Sequence, residues 1–289
     1  MKISRKTGVC GIIGDPVEHS LSPVMHNTAF EELNLDFVYL AFRVRRKELR
    51  EAIIGARSLD LQGLNVTMPH KNAVMRYLDE INSTARSIGA VNTILNDEGR
   101  LLGYNTDGIG ALKALEENGI TPNGKKLLLL GAGGAGKAIA FHAAREVEEL
   151  VILNRTPQKA KKLAEVLRKE FNKKINGNKF STEIMKEELR DADILVNATS
   201  VGMHPDINQS LVPPSSLRTD LCVMDIIYNP LETKLAKDAK AVGAKVVSGI
   251  EMLVYQGAAS FEIWTNHPAP VKVMKQAVLN KLSELGAHH

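Results

Sequence analysis

The sequence predicts an α/β fold in two parts, the second of them a doubly wound parallel sheet, with a cleft between the two. Three observations predict it. Short apolar runs alternate repeatedly with segments of helical period, the pattern of parallel α/β architecture. One of these runs passes directly into Gly131-Ala132-Gly133-Gly134-Ala135-Gly136 and then into a helix of small and apolar residues. The length, 289 residues, suits about two domains.

In the first part, residues 9–14 (VCGIIG), 37–44 (FVYLAFRV), 63–67 (GLNVT) and 90–95 (AVNTIL) read as strands, and residues 23–34, 47–58 and 70–78 as helices. Ser22 before Pro23 predicts one helix start, with serine at the N-cap and proline at the first helical position. Pro69 predicts another and places Lys71 in its first turn. The turn signal Gly119-Ile120-Thr121-Pro122-Asn123-Gly124 opens a second series. There residues 126–131, 150–154, 193–198, 222–227 and 244–248 read as strands, with helices after the first, second and fourth. The lysine-rich stretch from Arg168 to Lys179 reads as a solvated helix end and loop. Gly249–Thr265 and Pro270–Leu285 are helical in period and too long for another strand unit. The first domain is therefore expected over 1–105, completed by the C-terminal helices of 249–289, and the second over 106–248.

Composition narrows the function. With 44% apolar and 24% charged residues the chain is ordinary globular protein, which excludes disorder and collagen-like repeats. The net charge of +4 is too small and too diffuse for a nucleic-acid footprint, though it suits an anionic small molecule. Cys10 and Cys222 each lie in an apolar run, without metal-ligand spacing or a disulfide framework. No signal peptide and no membrane span is legible, so a soluble cytoplasmic protein, monomer or homodimer, is expected. The histidines show no metal spacing and the terminal pair, His288 and His289, reads as a tail feature, so no metal is expected.

The glycine loop carries the strongest chemical signal. Gly131 allows a tight turn, Gly133 lets the backbone approach a pyrophosphate, and Gly136 lets helix and strand pack closely, with the phosphate against the helix N-terminus. The next strand ends Asn154-Arg155-Thr156, where a free ribose 2′-hydroxyl would call for Asp or Glu. Arg155 instead offers a planar cation for a 2′-phosphate, which favours NADP over NAD. Lys159 reads equally as a second phosphate cation or an exposed helix lysine.

Polar residues of the first part each carry two readings. Ser20 and Ser22, two apart in an extended segment, can face one side, or be a turn residue and a helix cap. Lys71, in a first helical turn where the dipole disfavours a cation, reads as a proton-transferring lysine or a solvated surface lysine. Asp107, before an amphipathic helix, reads as a catalytic carboxylate or an N-cap. Asn92 and Thr93, with Tyr104, Asn105 and Thr106, complete the polar set.

Taken together, HSLSP, NVTMPHK, GAVNT, NTDGIG, GAGGAG with NRT, NATSVGM, DIIYNP and GIEMLVYQGA resemble the shikimate dehydrogenase family, in one order and over nearly the whole chain. The resemblance implies a substrate domain, a Rossmann-type NADP domain, and reversible reduction of 3-dehydroshikimate to shikimate by NADPH in aromatic amino-acid biosynthesis. It implies that Ser20, Ser22 and Tyr228 hold the substrate carboxylate and that Asn65, Thr67, Asn92, Asp107 and Gln256 hold ring hydroxyls. Lys71 would exchange the proton with Asp107 as its partner. Cofactor contacts would come from Gly131, Ala132, Gly133, Gly134, Ala135, Asn154, Arg155, Thr156, Lys159, Thr199, Ile226, Gly249 and Met252. Lys159 departs from the arginine that many relatives carry, and Ser83 from an acidic residue of some members. Oxidation of quinate with NAD or NADP, or a catalytically silent NADP-binding sensor, are the competing functions. The absence of an acidic residue at 154 or 155 weighs against the first, and the presence of both Lys71 and Asp107 against the second.

Overall fold

A computed structural model describes residues 3–286; the His288–His289 pair lies outside the described residues. The chain divides into two compact units, one of the residues up to Thr106 with those from Gln256 on, the other Asp107–Tyr255.

The first unit runs β1 (Gly8–Gly14), α1 (Ser22–Glu32), β2 (Phe37–Arg43), α2 (Leu49–Ser58), β3 (Gly63–Val66), β4 (Glu80–Ile81), α3 (Ser83–Ile88), β5 (Thr93–Asp97) and β6 (Arg100–Tyr104). Its sheet is mixed, in the order β2-β1-β3-β5-β6-β4. Strands β1, β2 and β3 are parallel, whereas β3, β5 and β6 alternate in direction. The β5–β6 hairpin turns through Glu98 and Gly99, both at positive φ (51° and 87°), and the Asn96 Oδ1 accepts the Gly99 N–H at 2.8 Å. Ile13, Leu64, Val66, Ile94 and Leu101 from the sheet pack on Leu49 and Ile53 of α2 in one apolar core.

Residues 70–78 are not the expected α-helix. They form turns and then a 3₁₀ segment, Ala73–Tyr77, so Lys71 stands in a turn and the helix-dipole argument for it falls away. Ser22 is likewise not an N-cap. The cap position is Leu21, Ser22 is already helical, and the Ser20 hydroxyl accepts the Ser22 N–H at 3.2 Å. Serine before proline predicted the helix start correctly to within one residue and misplaced the side-chain bond.

The second unit runs α4 (Asp107–Glu117), β7 (Lys126–Leu130), α5 (Gly134–Glu146), β8 (Glu149–Asn154), α6 (Pro157–Phe171), β9 (Lys174–Lys179), α7 (Thr182–Leu189), β10 (Ile194–Asn197), β11 (Cys222–Asp225), α8 (Lys234–Ala241) and β12 (Lys245–Val247). All six strands are parallel, in the order β12-β11-β10-β7-β8-β9, so the winding reverses between β7 and β10. The loop expected up to Lys179 is in part β9, an edge strand of which Ile175 alone is buried. Its polar, lysine-flanked sequence hides the strand pattern, as protected sheet edges do. Helix α9 (Gly249–Thr265) begins in the second unit and continues into the first, where α10 (Val271–Gly286) packs on α1.

Candidate active site

In the first unit the polar residues collect beside the C-terminal end of β3 and around the start of β5. Asn65 faces Thr93 across the β3–β5 ladder, and both are buried. Its Nδ2 donates to the Asn92 carbonyl at 3.2 Å, to the Thr93 hydroxyl at 3.3 Å and to the Ser260 hydroxyl at 3.0 Å. Its Oδ1 accepts from the Tyr39 hydroxyl at 2.7 Å. Asn92 continues the network. It accepts on Oδ1 from the Thr106 N–H at 2.8 Å and from Thr93 at 2.9 Å, and donates from Nδ2 to Thr106 at 2.9 Å and to Gln256 at 3.3 Å. These buried amides and hydroxyls satisfy one another on rigid strand ends, which fixes each group's donor and acceptor directions.

Thr67 follows β3, with its N–H on the Ile13 carbonyl at 3.0 Å; a Cβ at Gly14 would collide with the Thr67 side chain. The β1 glycine therefore lets the 67–71 turn close against the sheet. That turn is anchored by buried His70, whose Nε2 lies 2.6 Å from the Val44 carbonyl, and by the Lys71 carbonyl, which accepts the Val91 N–H at 2.8 Å. Lys71 is half-buried, one hydrogen bond from the residue preceding Asn92. Ser20 is half-buried and Ser22 buried, and the Ser22 hydroxyl reaches the Tyr39 oxygen. Ser20, Ser22, Asn65, Asn92 and Gln256 thus belong to one connected polar patch.

In the second unit the glycine loop has the predicted geometry. Gly131 sits at φ 106°, and a Cβ there would fall 2.7 Å from the Ala198 carbonyl oxygen. A Cβ at Gly136 would run into the Gly131 carbonyl, whereas Gly133 faces open space. The loop lies at the winding reversal, and the first turn of α5 holds no acidic residue to repel an anion. Asn154 ties this loop to the next strand end, its Oδ1 accepting the Ala132 N–H at 3.0 Å and its Nδ2 donating to the Thr156 carbonyl at 2.9 Å. Arg155, Thr156 and Lys159 are exposed around it, with Lys159 in the first turn of α6. This loop, with a cationic strand end and space at Gly133, fits a phosphorylated dinucleotide.

Thr199, Ile226, Tyr228 and Gly249 gather around a buried carboxylate. Asp225 accepts from the Thr233 hydroxyl at 2.7 Å, the Ile227 N–H at 3.2 Å and the Asn197 Nδ2 at 3.1 Å. The Asn197 Oδ1 in turn accepts the Thr199 hydroxyl at 2.7 Å. Burial pushes the Asp225 carboxyl above its usual range, against those three bonds. A Cβ at Gly249 would strike the carbonyls of Ile226 and Ile227, so this glycine is needed for the approach of α9. Burial also raises the Tyr228 phenol above its ordinary value. Met252 is buried on α9, and Asp107 opens α4 as a buried helical residue.

Sequence reasoning passed over Tyr39, Ser260, Asn197 and Asp225, which together with Thr106 hold the predicted residues in place. Tyr39 and Ser260 lie in apolar segments; Tyr39 reaches Asn65 from β2 across β1, and Ser260 reaches it from α9. Asn197 and Asp225 were legible as polar residues closing two apolar strands, the place where parallel sheets put their ligands. Among the described residues no group of His, Cys, Asp and Glu could hold a metal ion, and no helix is long and apolar enough to cross a membrane.

The parallel sheet with its glycine loop at the reversal defines the second unit as a Rossmann-type dinucleotide-binding fold. Family models match residues 12–94 (shikimate dehydrogenase substrate binding domain), 113–236 (shikimate / quinate 5-dehydrogenase) and 249–279 (shikimate 5'-dehydrogenase C-terminal domain). Shikimate dehydrogenase (NADP(+)) of Methanocaldococcus jannaschii is 47% identical over 98% of this chain and 100% of its own length. A crystal structure of a shikimate dehydrogenase in complex with NADP+ aligns with TM-score 0.91 and 46% identity, covering 97% of this chain and 98% of that one. One from Listeria monocytogenes, in complex with shikimate and NAD, aligns with TM-score 0.89 and 41% identity, covering 96% and 98%. The chain belongs to the shikimate dehydrogenase family.

Proposed function

We propose that the protein is an NADP-dependent shikimate dehydrogenase, an oxidoreductase that interconverts 3-dehydroshikimate and shikimate in the route to aromatic amino acids. The observation that carries this reading is the buried array of amides and hydroxyls around Asn65 and Asn92, set beside one lysine-bearing turn. Such an array suits a small, oxygen-rich ligand better than an apolar or polymeric one.

In this reading the first unit binds substrate and the second binds cofactor. Ser20, Ser22 and Tyr228 are the residues proposed for the carboxylate, their hydroxyls giving it charge-assisted hydrogen bonds. Asn65, Thr67, Asn92, Asp107 and Gln256 receive the ring hydroxyls. Gly131 to Ala135 would cradle the pyrophosphate and Asn154 to Lys159 the 2′-phosphate end, and Thr199, Ile226, Gly249 and Met252 would complete the cofactor contacts. The bound dinucleotide supplies hydride chemistry. The chain's own contribution is orientation and a proton: the Lys71 ammonium delivers H⁺ from Nζ to the oxygen that changes from ketone to alcohol, and takes it back in the reverse direction. Asp107 serves as the partner of Lys71 and also orients substrate by accepting from a ring hydroxyl. Its helix α4 starts directly after Thr106, which the Asn92 carboxamide holds through both N–H and hydroxyl. A cytoplasmic enzyme, monomer or homodimer, that needs neither metal nor nucleic acid completes the proposal.

The test is NADP+ reduction by shikimate, with Lys71→Ala beside the wild type. Activity in the wild type that collapses in the variant at unchanged KM supports the assignment. Unchanged kcat with raised KM would make Lys71 a binding residue.

A further inference from the structure

The Asn65 carboxamide has only one orientation open to it. Its neighbour at 3.2 Å, the Asn92 main-chain oxygen, can only accept, so nitrogen must face it and oxygen must face Tyr39. Nδ2 has two hydrogens and three acceptors within 3.3 Å, so nothing is left on that side to donate elsewhere. Oδ1 has two lone pairs, and the Tyr39 hydroxyl at 2.7 Å takes one.

Tyr39 is itself held on every side. The Asn27 side chain of α1 clamps its main chain, with Nδ2 donating to the Tyr39 carbonyl at 2.9 Å and Oδ1 accepting the Tyr39 N–H at 2.8 Å. Its ring stacks on His26 at 4.5 Å and 15°, and Trp264 lies 5.9 Å away, fixed by its own bond to the Ile94 carbonyl at 2.9 Å. A phenol buried to 1% exposure, with main chain and ring both fixed, sets the direction of the bond it makes.

We propose that Tyr39 is a positioning residue for the reaction: it locks the Asn65 carboxamide so that Asn65 offers substrate only an acceptor, which selects a ring hydroxyl and rejects the ketone oxygen. A hydroxyl retained in both substrate and product can donate to that lone pair in either state. The reacting oxygen, a ketone in one state, has no hydrogen to give and must find its donor elsewhere, which is the part assigned to Lys71. The inference rests on the reading of Asn65 as a substrate contact.

Tyr39→Phe keeps the ring and its stacking and removes only the hydroxyl. The KM for shikimate should rise about fivefold, as for one lost neutral hydrogen bond, with kcat and the KM for NADP+ close to wild type. The Tyr39 oxygen also takes the Ser22 hydroxyl, so the background for the coupling test is Asn65→Ala with Ser22→Ala, in which the same change should have no further effect on KM. A purely structural role would instead lower both backgrounds alike, and that result, or an unchanged KM in the single variant, overturns the proposal. A wild-type measurement holds the proposal to account should Tyr39→Phe not fold. Analogues of shikimate in which each non-reacting hydroxyl is replaced by hydrogen or by fluorine are compared as substrates. Fluorine accepts but cannot donate, so at the Asn65 position it should be as poor as hydrogen; a fluoro analogue clearly better than the deoxy one at every position overturns the assigned polarity. Absence of any shikimate oxidation by the wild type would strike the functional reading itself, whereas an active wild type with an unaffected Tyr39→Phe removes only this inference.

Discussion

Ser20→Ala and Ser22→Ala, both at the proposed carboxylate site, differ in what they take from the start of α1. The Ser20 hydroxyl accepts the Ser22 N–H at 3.2 Å, whereas Ser22 is already helical and caps nothing. Losing a cap costs about 1 kcal/mol, and a bond this long belongs at the lower end of the range. Ser20→Ala should therefore lower Tm by about 1–2 °C. Ser22→Ala removes no cap but takes a donor from the buried Tyr39 oxygen, which still donates to Asn65, so its Tm should fall by a similarly small amount. Its larger effect falls on the carboxylate. A charge-assisted hydrogen bond contributes about 1.5–3 kcal/mol, so KM for shikimate should rise by about 10- to 150-fold with the KM for NADP+ unchanged. Thermal melts and steady-state kinetics at saturating NADP+ read both effects on the same preparations. A Ser22→Ala enzyme with unchanged KM for shikimate would refute the carboxylate assignment.

Arg155→Ala should raise the KM for NADP+ by about tenfold or more and leave that for NAD nearly unchanged, because only the 2′-phosphate distinguishes the two; equal losses would remove the assignment. Lys71→Ala should lower kcat by about 10²- to 10⁴-fold with little change in KM, read by steady-state assay. Gly136→Ala drives a methyl into the Gly131 carbonyl and should destabilise by about 1–3 kcal/mol while weakening both cofactors, measured by denaturant melts and cofactor titration. His26 is fully buried with neither ring nitrogen hydrogen-bonded, and burial pushes its pKa down to about 3. The unfolded chain therefore binds the proton that the native state excludes: the stability is complete above pH 6.5 and is lost on acidification toward pH 3, by about 2 kcal/mol at pH 5. His26→Phe should flatten that part of the stability profile, and an identical pH slope in the variant would contradict the assignment.

The parallel sheet of the second unit was legible because its central strands are buried on both faces and read as unbroken apolar runs, as in KLLLLG. The glycine loop was legible for a different reason: Gly131 and Gly136 stand where no side chain fits, which spacing alone can express. Edge strand β9 was not, because a strand with one buried residue leaves no periodicity to find. The 70–78 segment was misread as a helix because proline at a helix start and proline in a turn look alike without the tertiary contacts of His70 and Lys71. The β5–β6 hairpin carried a usable signal in Glu98-Gly99, but the polar residues around it were read for chemistry instead. At the site, the residues proposed to meet ligands stood out as polar breaks in apolar context. Their supports did not, since Tyr39, Ser260 and Trp264 become partners of Asn65 and β5 only when segments distant in sequence are brought together.

The central claim is tested most directly by the initial rate of NADPH formation from NADP+ with shikimate, set against quinate as substrate and NAD as cofactor. The account predicts robust turnover with shikimate and NADP+ and a large loss when either is exchanged. No turnover with shikimate by a folded enzyme that still binds NADP+ would contradict it.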